Sequence, residues 1–320
     1  MNLTPDKIFD LFTNNNINNF TAYEQLISFI ENSENDNLRI DAIKILDKIG
    51  IYNNKLFTIL ENILISDSNK NIRNAAAKFI EKRFLNKALT PLKWVIIHES
   101  DFTCLITIIN ILKKINNHES KLLLFNEVKK ITKIKYINKE RRIENKRFKK
   151  VIKKLLKIKN FDDFTNEELS EILINFSIVK NLTKLFPNAF YELDSQNGLV
   201  KELDLSDFLE YEVKGTPSGW KNDIKSLSEV IGLNDLHNLT KLDLSNNQIE
   251  NINDLVNLEK LTHLILTNNR ISELKNLEYI KKLPNLEYLD LRYNDIAKKI
   301  NPNDFNQTIR ILLNDYLILK

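Results

Sequence analysis

The sequence predicts a protein built from two kinds of repeat: an all-α superhelix fused to an α/β domain with a curved parallel sheet. Three observations favour this repeat-solenoid fold class. The last third of the chain repeats a leucine pattern at offsets of 22 and 25 residues, and the first third shows helical periodicity with an offset of 34 residues. The chain has only 5 Gly among 320 residues, which disfavours the Gly-rich phosphate-binding loops of nucleotide enzymes.

Two consecutive segments of the last third read LTKLDLSNNQIENINDLVNLEK, from Leu239, and LTHLILTNNRISELKNLEYIKK, from Leu261. A third copy begins at Leu286 and a degenerate copy at Val200. The x-L-x-L part of each copy alternates with period two, which predicts a short strand whose leucines face the core. An asparagine follows where the chain turns, and its amide can bond backbone groups that the turn leaves unpaired. These turn residues are Asn247, Asn269 and Asn294.

This pattern, L-x-x-L-x-L-x-x-N-x-I, resembles leucine-rich repeats, and its short period resembles the class found in phosphatase-regulator and bacterial surface-type proteins. The resemblance covers about residues 198–297 and implies stacked repeats, each covering its neighbour's apolar face, within a predicted repeat domain over residues 198–320. The Asn197-Gly198 pair predicts a hairpin as the N-terminal cap. Phe208 stands where the first asparagine is expected, and the insertion after it contains Trp220, a candidate anchor for a partner. The last segment predicts a helical C-terminal cap from four apolar residues at helical spacing: Ile309, Leu312, Leu313 and Tyr316.

Residues 1–128 show helical periodicity throughout. NLRIDAIKILDKIG, from Asn37, and NIRNAAAKFIEKRF, from Asn71, align at an offset of 34 residues. The second copy resembles the signature of HEAT repeats. That resemblance implies an α-solenoid in which small alanines let helices approach and the arginine bonds to a neighbouring repeat. The residues that carry the resemblance are Asp67, Ile72, Arg73, Ala76 and Ala77, with Arg39 aligned to Arg73.

Residues 129–164 predict a basic helical connector, and residues 165–197 a bridging helix followed by the cap of the repeat domain. Within residues 129–159 there are 15 Lys and Arg against 2 Glu, so the rest of the chain is mildly acidic. The simplest interpretation is a linker helix docked by an apolar face around Phe148 and Ile152. The alternative is an electrostatic site for nucleic acid, anionic lipid or an acidic partner. Its candidate residues are Arg141, Arg142, Lys146, Arg147, Lys150 and Lys154.

The outward positions of the predicted strands form three columns on the concave face of the sheet. Because the repeats keep the core residues and vary these columns, we expect the columns to contact a protein partner. Four strands give a face of about 20 Å by 17 Å, which is less than the roughly 800 Å² per partner of a standard interface. The partner is therefore expected to touch the Trp220 loop or the α-solenoid as well, or to bind weakly. The columns are Glu202, Lys241, His263 and Tyr288; Asp204, Asp243, Ile265 and Asp290; and Ser206, Ser245, Thr267 and Arg292.

Motifs of enzyme chemistry are missing from the sequence. It has no P-loop, no G-x-S-x-G, no H-E-x-x-H and no pair of cysteines, and its four His are scattered. We therefore expect no catalytic site, cofactor, metal or small-molecule substrate. Trp94 and Cys104 are expected in the core. The lone Cys104, an N-terminus unlike a signal peptide and the lack of a long apolar run predict a cytoplasmic protein.

These observations predict a non-enzymatic scaffold or adaptor that binds partner proteins on the surfaces of its two repeat domains. One alternative is a protein that binds nucleic acid or an anionic surface through residues 129–159. A third possibility is a regulatory subunit of an enzyme, which the phosphatase-regulator resemblance implies. The sequence does not identify the partner.

Overall fold

The computed structural model describes residues 3–134, 142–186, 189–207, 222–255, 257–301, 305 and 308–313, with side chains from residue 146 onward in the helix that begins at residue 142. The chain divides into two compact units. The first comprises Met1–Phe125 and Thr165–Ser170, and the second comprises Asn126–Phe164 and Glu171–Lys320. Among the described residues, no helix has the length and apolar character needed to cross a lipid bilayer.

The N-terminal part of the chain is helical. Its helices are α1 (Pro5–Thr13), α2 (Asn19–Asn32), α3 (Asp36–Ile49), α4 (Asn54–Ser66), α5 (Lys70–Arg83), α6 (Leu89–His98), α7 (Phe102–Ile115) and α8 (His118–Ile131). Consecutive helices pair, α2 with α3, α4 with α5 and α6 with α7. The second members of these pairs also pack in a row, α3 against α5 and α5 against α7. Each pair thus buries its apolar face against its neighbours, as in helical repeats.

Asparagine and aspartate side chains determine where several of these helices begin. Asn35, Asn53 and Asn69 each precede a helix and accept a hydrogen bond from a backbone N–H of its first turn. Asp101 caps α7 in the same way. Such caps satisfy donors that a helix start otherwise leaves unpaired. Gly50 ends α3 with a φ of +80°, a left-handed conformation that favours glycine.

The expected bonds from arginine to the neighbouring repeat are present. Arg39, on α3, donates to Asp67, with 2.5 Å between Nη2 and Oδ2. Arg73, on α5, donates to both carboxylate oxygens of Glu99 at distances of 2.8 and 2.7 Å. Each arginine therefore reaches the residue that ends the first helix of the next pair. Ala76 is fully buried, which lets α5 lie close to the helices packed on it.

The expectation that Trp94 lies in the core is wrong. Its side chain is 46% exposed and stacks on His98, with 4.1 Å between the ring centroids. The helix buries Leu92 and Val95 instead, which places Trp94 on the opposite side. Cys104 is buried as expected.

The remaining helices are α9 (Arg142–Ile158), α10 (Asn166–Leu185) and α11 (Asn276–Ile280). The apolar face of α9 is buried in the second unit, as the linker interpretation expected. Phe148 and Ile152 are fully buried. The Phe148 ring meets Phe176 of α10 edge-on at 5.3 Å and the ring of Tyr191 at 5.6 Å between centroids. The orientation of α9 within this unit is therefore fixed by packing.

The second unit contains a six-stranded sheet whose strands follow one another in chain order. They are β1 (Phe190–Leu193), β2 (Val200–Asp204), β3 (Lys241–Asp243), β4 (His263–Ile265), β5 (Tyr288–Asp290) and β6 (Arg310–Leu312). β1 is antiparallel to β2, and all later pairs are parallel. The strand leucines form the core: Leu203, Leu242, Leu264 and Leu289 are at most 2% exposed.

The predicted N-terminal hairpin is confirmed. β1 and β2 pair across a turn in which the N–H of Gly198 donates to the carbonyl of Asp194 at 2.9 Å. Gly198 has a φ of +77°, and a Cβ on it would lie 2.9 Å from Cδ1 of Leu155 on α9. The left-handed backbone therefore favours glycine here, and a side chain at this position would press on side-chain methyl groups of α9.

The expectation of a helical C-terminal cap is wrong for the described part of that segment. Residues Arg310–Leu312 form β6, which pairs in parallel with β5, and Tyr316 lies outside the described residues. Ile309, Ile311 and Leu313 alternate with period two, so the apolar pattern of this segment also fits a strand. The unpaired backbone edge of β5 favours the strand, because β6 satisfies it.

The predicted role of the turn asparagines is confirmed. The amide nitrogen of Asn269 donates to the carbonyls of Leu244 and Leu266 at 2.9 and 3.0 Å, and its amide oxygen accepts from the N–H of Ile249 at 2.9 Å. Each such amide thus ties its own strand end to the strand end and the return segment of the preceding repeat, and it pairs buried backbone groups of both. Asn247 and Asn294 make equivalent bonds.

The first repeat also has such an asparagine, although Phe208 stands where the pattern places it. The amide nitrogen of Asn222 donates to the carbonyls of Leu205 and Ser206 at 3.0 and 3.1 Å. These bonds match those of Asn247 to its own strand end. Asn222 therefore takes the role of the turn asparagine in the first repeat. Phe208 and Trp220 lie outside the described residues.

Candidate interaction surface

The strands align the predicted columns across the sheet. In the first column, Glu202 pairs with Lys241, Lys241 with His263 and His263 with Tyr288, and the pairing continues to Arg310 of β6. The column alignment expected from the repeats is confirmed, and β6 extends it by one strand. Successive residues of a strand point to opposite faces of a sheet. The outward residues of β2 to β6 are called the sheet face below.

The first column changes in chemical character from strand to strand. Its residues are Glu202, Lys241, His263, Tyr288 and Arg310. Lys241 Nζ lies 3.8 Å from Glu202 Oε2. His263 stacks on Tyr288 with 5.6 Å between ring centroids and 22° between planes. The Arg310 guanidinium lies 5.8 Å from the Tyr288 ring centroid. The row thus begins with an ion pair and ends with an aromatic stack flanked by a cation, an arrangement common at binding sites.

The aspartates of the second column are fixed at the ends of their strands. Asp204 accepts a hydrogen bond from the N–H of Ser206 at 2.9 Å, and Asp243 accepts from the N–H of Ser245 at 2.9 Å. Asp290 does the same for the N–H of Arg292 at 3.1 Å. These short-range bonds are typical of aspartate at turns. The column therefore has a structural role that the sequence analysis did not assign.

Asp243 carries its charge in an unfavourable environment. Burial raises the pKa of its carboxyl group, and the neighbouring Asp204 carboxylate raises it further, while hydrogen bonds from Ser245 act in the opposite direction. Perturbed acids of this kind are common at functional sites. A cation from outside the chain would stabilise the ionised form of Asp243.

Asp290 does not face solvent, contrary to the expectation for a partner-contact residue. It is 2% exposed, because Arg292 covers it with two bonds from its guanidinium, at 3.0 Å from Nε to Oδ1 and 2.7 Å from Nη2 to Oδ2. This pairing raises the pKa of Arg292. The accessible group at this position is therefore the guanidinium, held in place by Asp290.

The rest of the second and third columns is less charged. Ile265 and Thr267 of β4 and its following turn, and Ser245 after β3, are half-buried, and Ser206 is buried. Apart from Asp290, which Arg292 covers, the acidic groups lie on β2 and β3, while the aromatic and arginine groups lie on β4 to β6 and on the turn after β5. The sheet face has an acidic half and an aromatic half that carries two arginines.

The predicted anion-binding residues of α9 fall into three groups. Lys146, Lys150 and Lys154 are exposed. Arg147 instead stacks on Phe190, with its guanidinium 3.9 Å from the ring centroid, and donates to the Tyr191 carbonyl. Its role in the structure is to hold β1. Arg141, like Trp220, lies outside the described residues, as does the side chain of Arg142.

Sequence reasoning missed three residues of this region. Arg310 joins the sheet face because β6 is a strand. Asn222 closes the first turn after an insertion. Asn276 is fully buried and repeats the bonding of the turn asparagines on the return side, since its oxygen accepts from the N–H of Ile252 at 3.1 Å. The Asn222-Asp223-Ile224 triplet, which matches N-x-I, was the signal that could have identified Asn222.

Within the described residues, no group of three or more His, Cys, Asp or Glu side chains is placed to hold a metal ion. The aspartates of the second column are instead used by backbone N–H groups and by Arg292. The sheet face therefore presents charged, polar and aromatic side chains on a regular arrangement of strands.

Comparison with protein families identifies two overlapping stretches of the chain that match models of leucine-rich repeats. Residues 220–271 match a model described as leucine rich repeat, and residues 259–304 match a model of two copies of leucine rich repeats. This part of the chain is a leucine-rich repeat region. Such regions generally mediate protein–protein interaction and are typically not enzymatic. The resemblance of the helical N-terminal part to HEAT repeats stays a prediction, as does the 22-residue class of the leucine-rich repeats. Searches of curated proteins and of solved structures gave no match to this chain.

Proposed function

We propose that this protein is a non-enzymatic scaffold whose leucine-rich repeat region binds a protein partner on the sheet face. The observation that carries the proposal is that each repeat has constant buried positions and variable outward positions. Leucines and turn asparagines recur and are buried, whereas the outward column changes from Glu202 through Lys241, His263 and Tyr288 to Arg310. Variation on a constant framework is the way repeat proteins build a specific binding surface.

The side chains of the sheet face suit a protein partner. Tyrosine and arginine are enriched among the residues that dominate binding energy at interfaces. Tyr288 is held between His263 and Arg310, so little side-chain freedom is lost when a partner contacts it. Asp243 and Glu202 give the other end of the face a negative charge, which favours a partner with a lysine or arginine at the matching position.

The size of the sheet face requires further contacts. Five parallel strands at about 4.8 Å spacing span roughly 20 Å, so the face remains below the roughly 800 Å² per partner of a standard interface. We therefore propose that the helical repeats of residues 1–128 supply a second, HEAT-like docking surface, connected through residues 129–164.

The free thiol of Cys104 supports a location in the cytoplasm as part of the same proposal.

Affinity capture from a native lysate tests the sheet face. The variant Lys241→Ser/His263→Ser/Arg310→Ser removes three outward side chains that are not buried and leaves the core intact. We expect proteins retained by the wild-type chain at high salt to be lost or reduced at least tenfold, since about 1.4 kcal/mol of lost contact gives a factor of ten.

The matched control is Lys225→Ser/Lys282→Ser. It also removes two formal positive charges, but from exposed positions away from the sheet face. It should retain the captured proteins at wild-type yield. Equal yields from all three chains would refute the proposed site. Loss by both variants would show that net charge, rather than the sheet face, determines capture.

A further inference from the structure

Five exposed lysines follow one another along α9: Lys146, Lys150, Lys153, Lys154 and Lys157. At 100° per residue they fall within an arc of about 100° around the helix axis. At 1.5 Å per residue the row is about 17 Å long. The set is called the lysine row below. Lys153 and Lys157 were not among the residues singled out from the sequence.

The opposite side of α9 is buried, which fixes the direction in which the lysine row points. Phe148, Ile152 and Leu155 are at most 4% exposed, and they lie about half a turn away from the centre of the row. Phe148 packs on Phe176 and Tyr191. The lysines are therefore presented on a helix that cannot roll to bring them against its own unit.

No acidic side chain in the described part of the chain neutralises the charges of the lysine row. Among the described residues, none of the five lysines takes part in a hydrogen bond or ion pair with an acidic side chain. Lys146 and Lys150, Lys150 and Lys154, and Lys153 and Lys157 are each four residues apart, a spacing at which like charges repel. An anion bound from outside the chain would relieve this repulsion.

We propose that the lysine row binds the phosphate backbone of double-stranded nucleic acid. A duplex carries one negative charge per about 3.4 Å of axis on each strand, so a length equal to the row holds about five phosphates per strand. Each of the five lysines can then reach one. Lysine acts as a point charge without preferred geometry, which fits contact to a regular backbone and predicts binding that does not depend on base sequence.

Two other polyanions fit less well. A membrane-surface helix needs large apolar side chains beside its basic face, and Ile158 is the only exposed large hydrophobic residue among the described side chains of α9. A protein interface needs aromatic or arginine anchors at its centre, and the lysine row has neither. The missing aromatics also predict no preference for single strands, which bind by base stacking.

The test is fluorescence anisotropy of the full chain with a labelled mixed-sequence duplex over a range of KCl concentrations. Five phosphate contacts give a plot of log K against log [KCl] with a slope of about −4.5 from the lysine row. The variant Lys150→Gln/Lys153→Gln/Lys154→Gln should flatten that slope by about 3. The control Lys44→Gln/Lys225→Gln/Lys282→Gln loses the same charge at exposed positions elsewhere and should keep the wild-type slope.

The same protein is then titrated with polyglutamate and with vesicles that contain phosphatidylserine. Stronger binding to the duplex than to either competitor, lost in the α9 variant, supports the proposal. Equal effects of the α9 variant and the control would overturn it, as would tighter binding to vesicles, to polyglutamate or to a single strand of the same sequence. Circular dichroism of all chains confirms that the variants are folded.

Discussion

His263 stacks on Tyr288 across two neighbouring strands of the sheet, with ring centroids 5.6 Å apart and planes 22° apart. The two residues occupy the same position in consecutive repeats, and neither belongs to the buried framework. Arg310 lies on the other side of Tyr288, 5.8 Å from its ring centroid. This three-residue stack is the most pre-organised feature of the sheet face, and it exists because parallel strands bring equivalent positions of the repeats together.

The turn asparagines should be the most sensitive polar positions in the repeat region. Asn269→Ala removes bonds to Leu244, Leu266 and Ile249 and leaves buried backbone groups unpaired. We expect a loss of about 2–4 kcal/mol in the free energy of unfolding, measured by urea denaturation. Asn285→Ala is the control, because Asn285 is exposed and makes one bond, to the carbonyl of Glu259. Equal losses for the two variants would contradict the structural role of the turn asparagines.

Asp243→Asn should stabilise the protein at neutral pH. In the folded state the pKa of Asp243 is higher than its ordinary value of 3.8, chiefly because of burial. The folded state therefore binds this proton more tightly than the unfolded state does. Its contribution to stability is therefore greatest below pH 3.8 and decreases as the pH rises through the raised pKa. Asparagine keeps the oxygen that accepts from the N–H of Ser245 and removes the charge.

The measurement is the midpoint of thermal unfolding at pH 3 and at pH 7 for the wild type and the variant. The gain should be present at pH 7 and absent at pH 3. Asp295→Asn, at an exposed position, should change neither midpoint appreciably. A variant that is less stable than the wild type at pH 7 would show that the charge of Asp243 is compensated within the chain.

Glycine at 198 should be required for two reasons that can be separated. Gly198→Ala places a methyl group 2.9 Å from Leu155 Cδ1 at a φ of +77°, whereas Gly50→Ala has a φ of +80° and nothing within 4 Å. Both variants lose about 1–2 kcal/mol through left-handed strain. Only Gly198→Ala adds the cost of overpacking, about 1–3 kcal/mol. Urea denaturation of the two variants measures the difference, and equal losses would show that α9 yields without cost.

The arginine bonds between helical repeats should contribute more to the free energy of unfolding than surface ion pairs do. The Glu99 side chain is 2% exposed. Burial acts to raise the pKa of Glu99, but the hydrogen bonds from Arg73 and from backbone N–H groups hold it below its ordinary value. Arg73→Gln should cost about 3 kcal/mol, because it leaves a buried carboxylate without its partner. Lys44→Gln, which removes an exposed pair with Asp41, should cost less than about 1 kcal/mol.

The pH dependence of that loss gives a second check. Because the folded pKa of Glu99 is lowered from 4.5, its stabilisation is present above that value and is lost as the pH falls through the folded pKa. Unfolding followed from pH 7 to pH 3 should therefore show wild type and Arg73→Gln converging at the acid end. A constant difference across the range would mean that Arg73 stabilises by packing rather than by charge.

The repeated parts of the fold could be predicted from the sequence, because each repeat restates the same physical requirement. The strand leucines and the turn asparagines identified β2 to β5 and their register. The 34-residue offset likewise aligned Arg39 with Arg73, and the resemblance to HEAT repeats implied their bonding role. In each case several copies of one pattern supported a single interpretation.

The failures occurred where a position had only one copy or had two compatible interpretations. Residues 309–313 fit a helix and a strand equally by spacing, and the edge of β5 decided for the strand. Asn222 stands apart from its strand end because of an insertion. Trp94 was assigned to the core by residue type, although only the packing of its helix determines which face is buried.

Binding of a partner at the sheet face is tested by hydroxyl-radical footprinting of the captured complex against the free chain, read residue by residue by mass spectrometry. We expect labelling of Tyr288 and His263 to fall in the complex, while Phe20, which is 72% exposed on α2, is labelled equally in both states. Unchanged labelling of Tyr288 and His263 in a stable complex would contradict the claim that the sheet face is where this protein binds its partner.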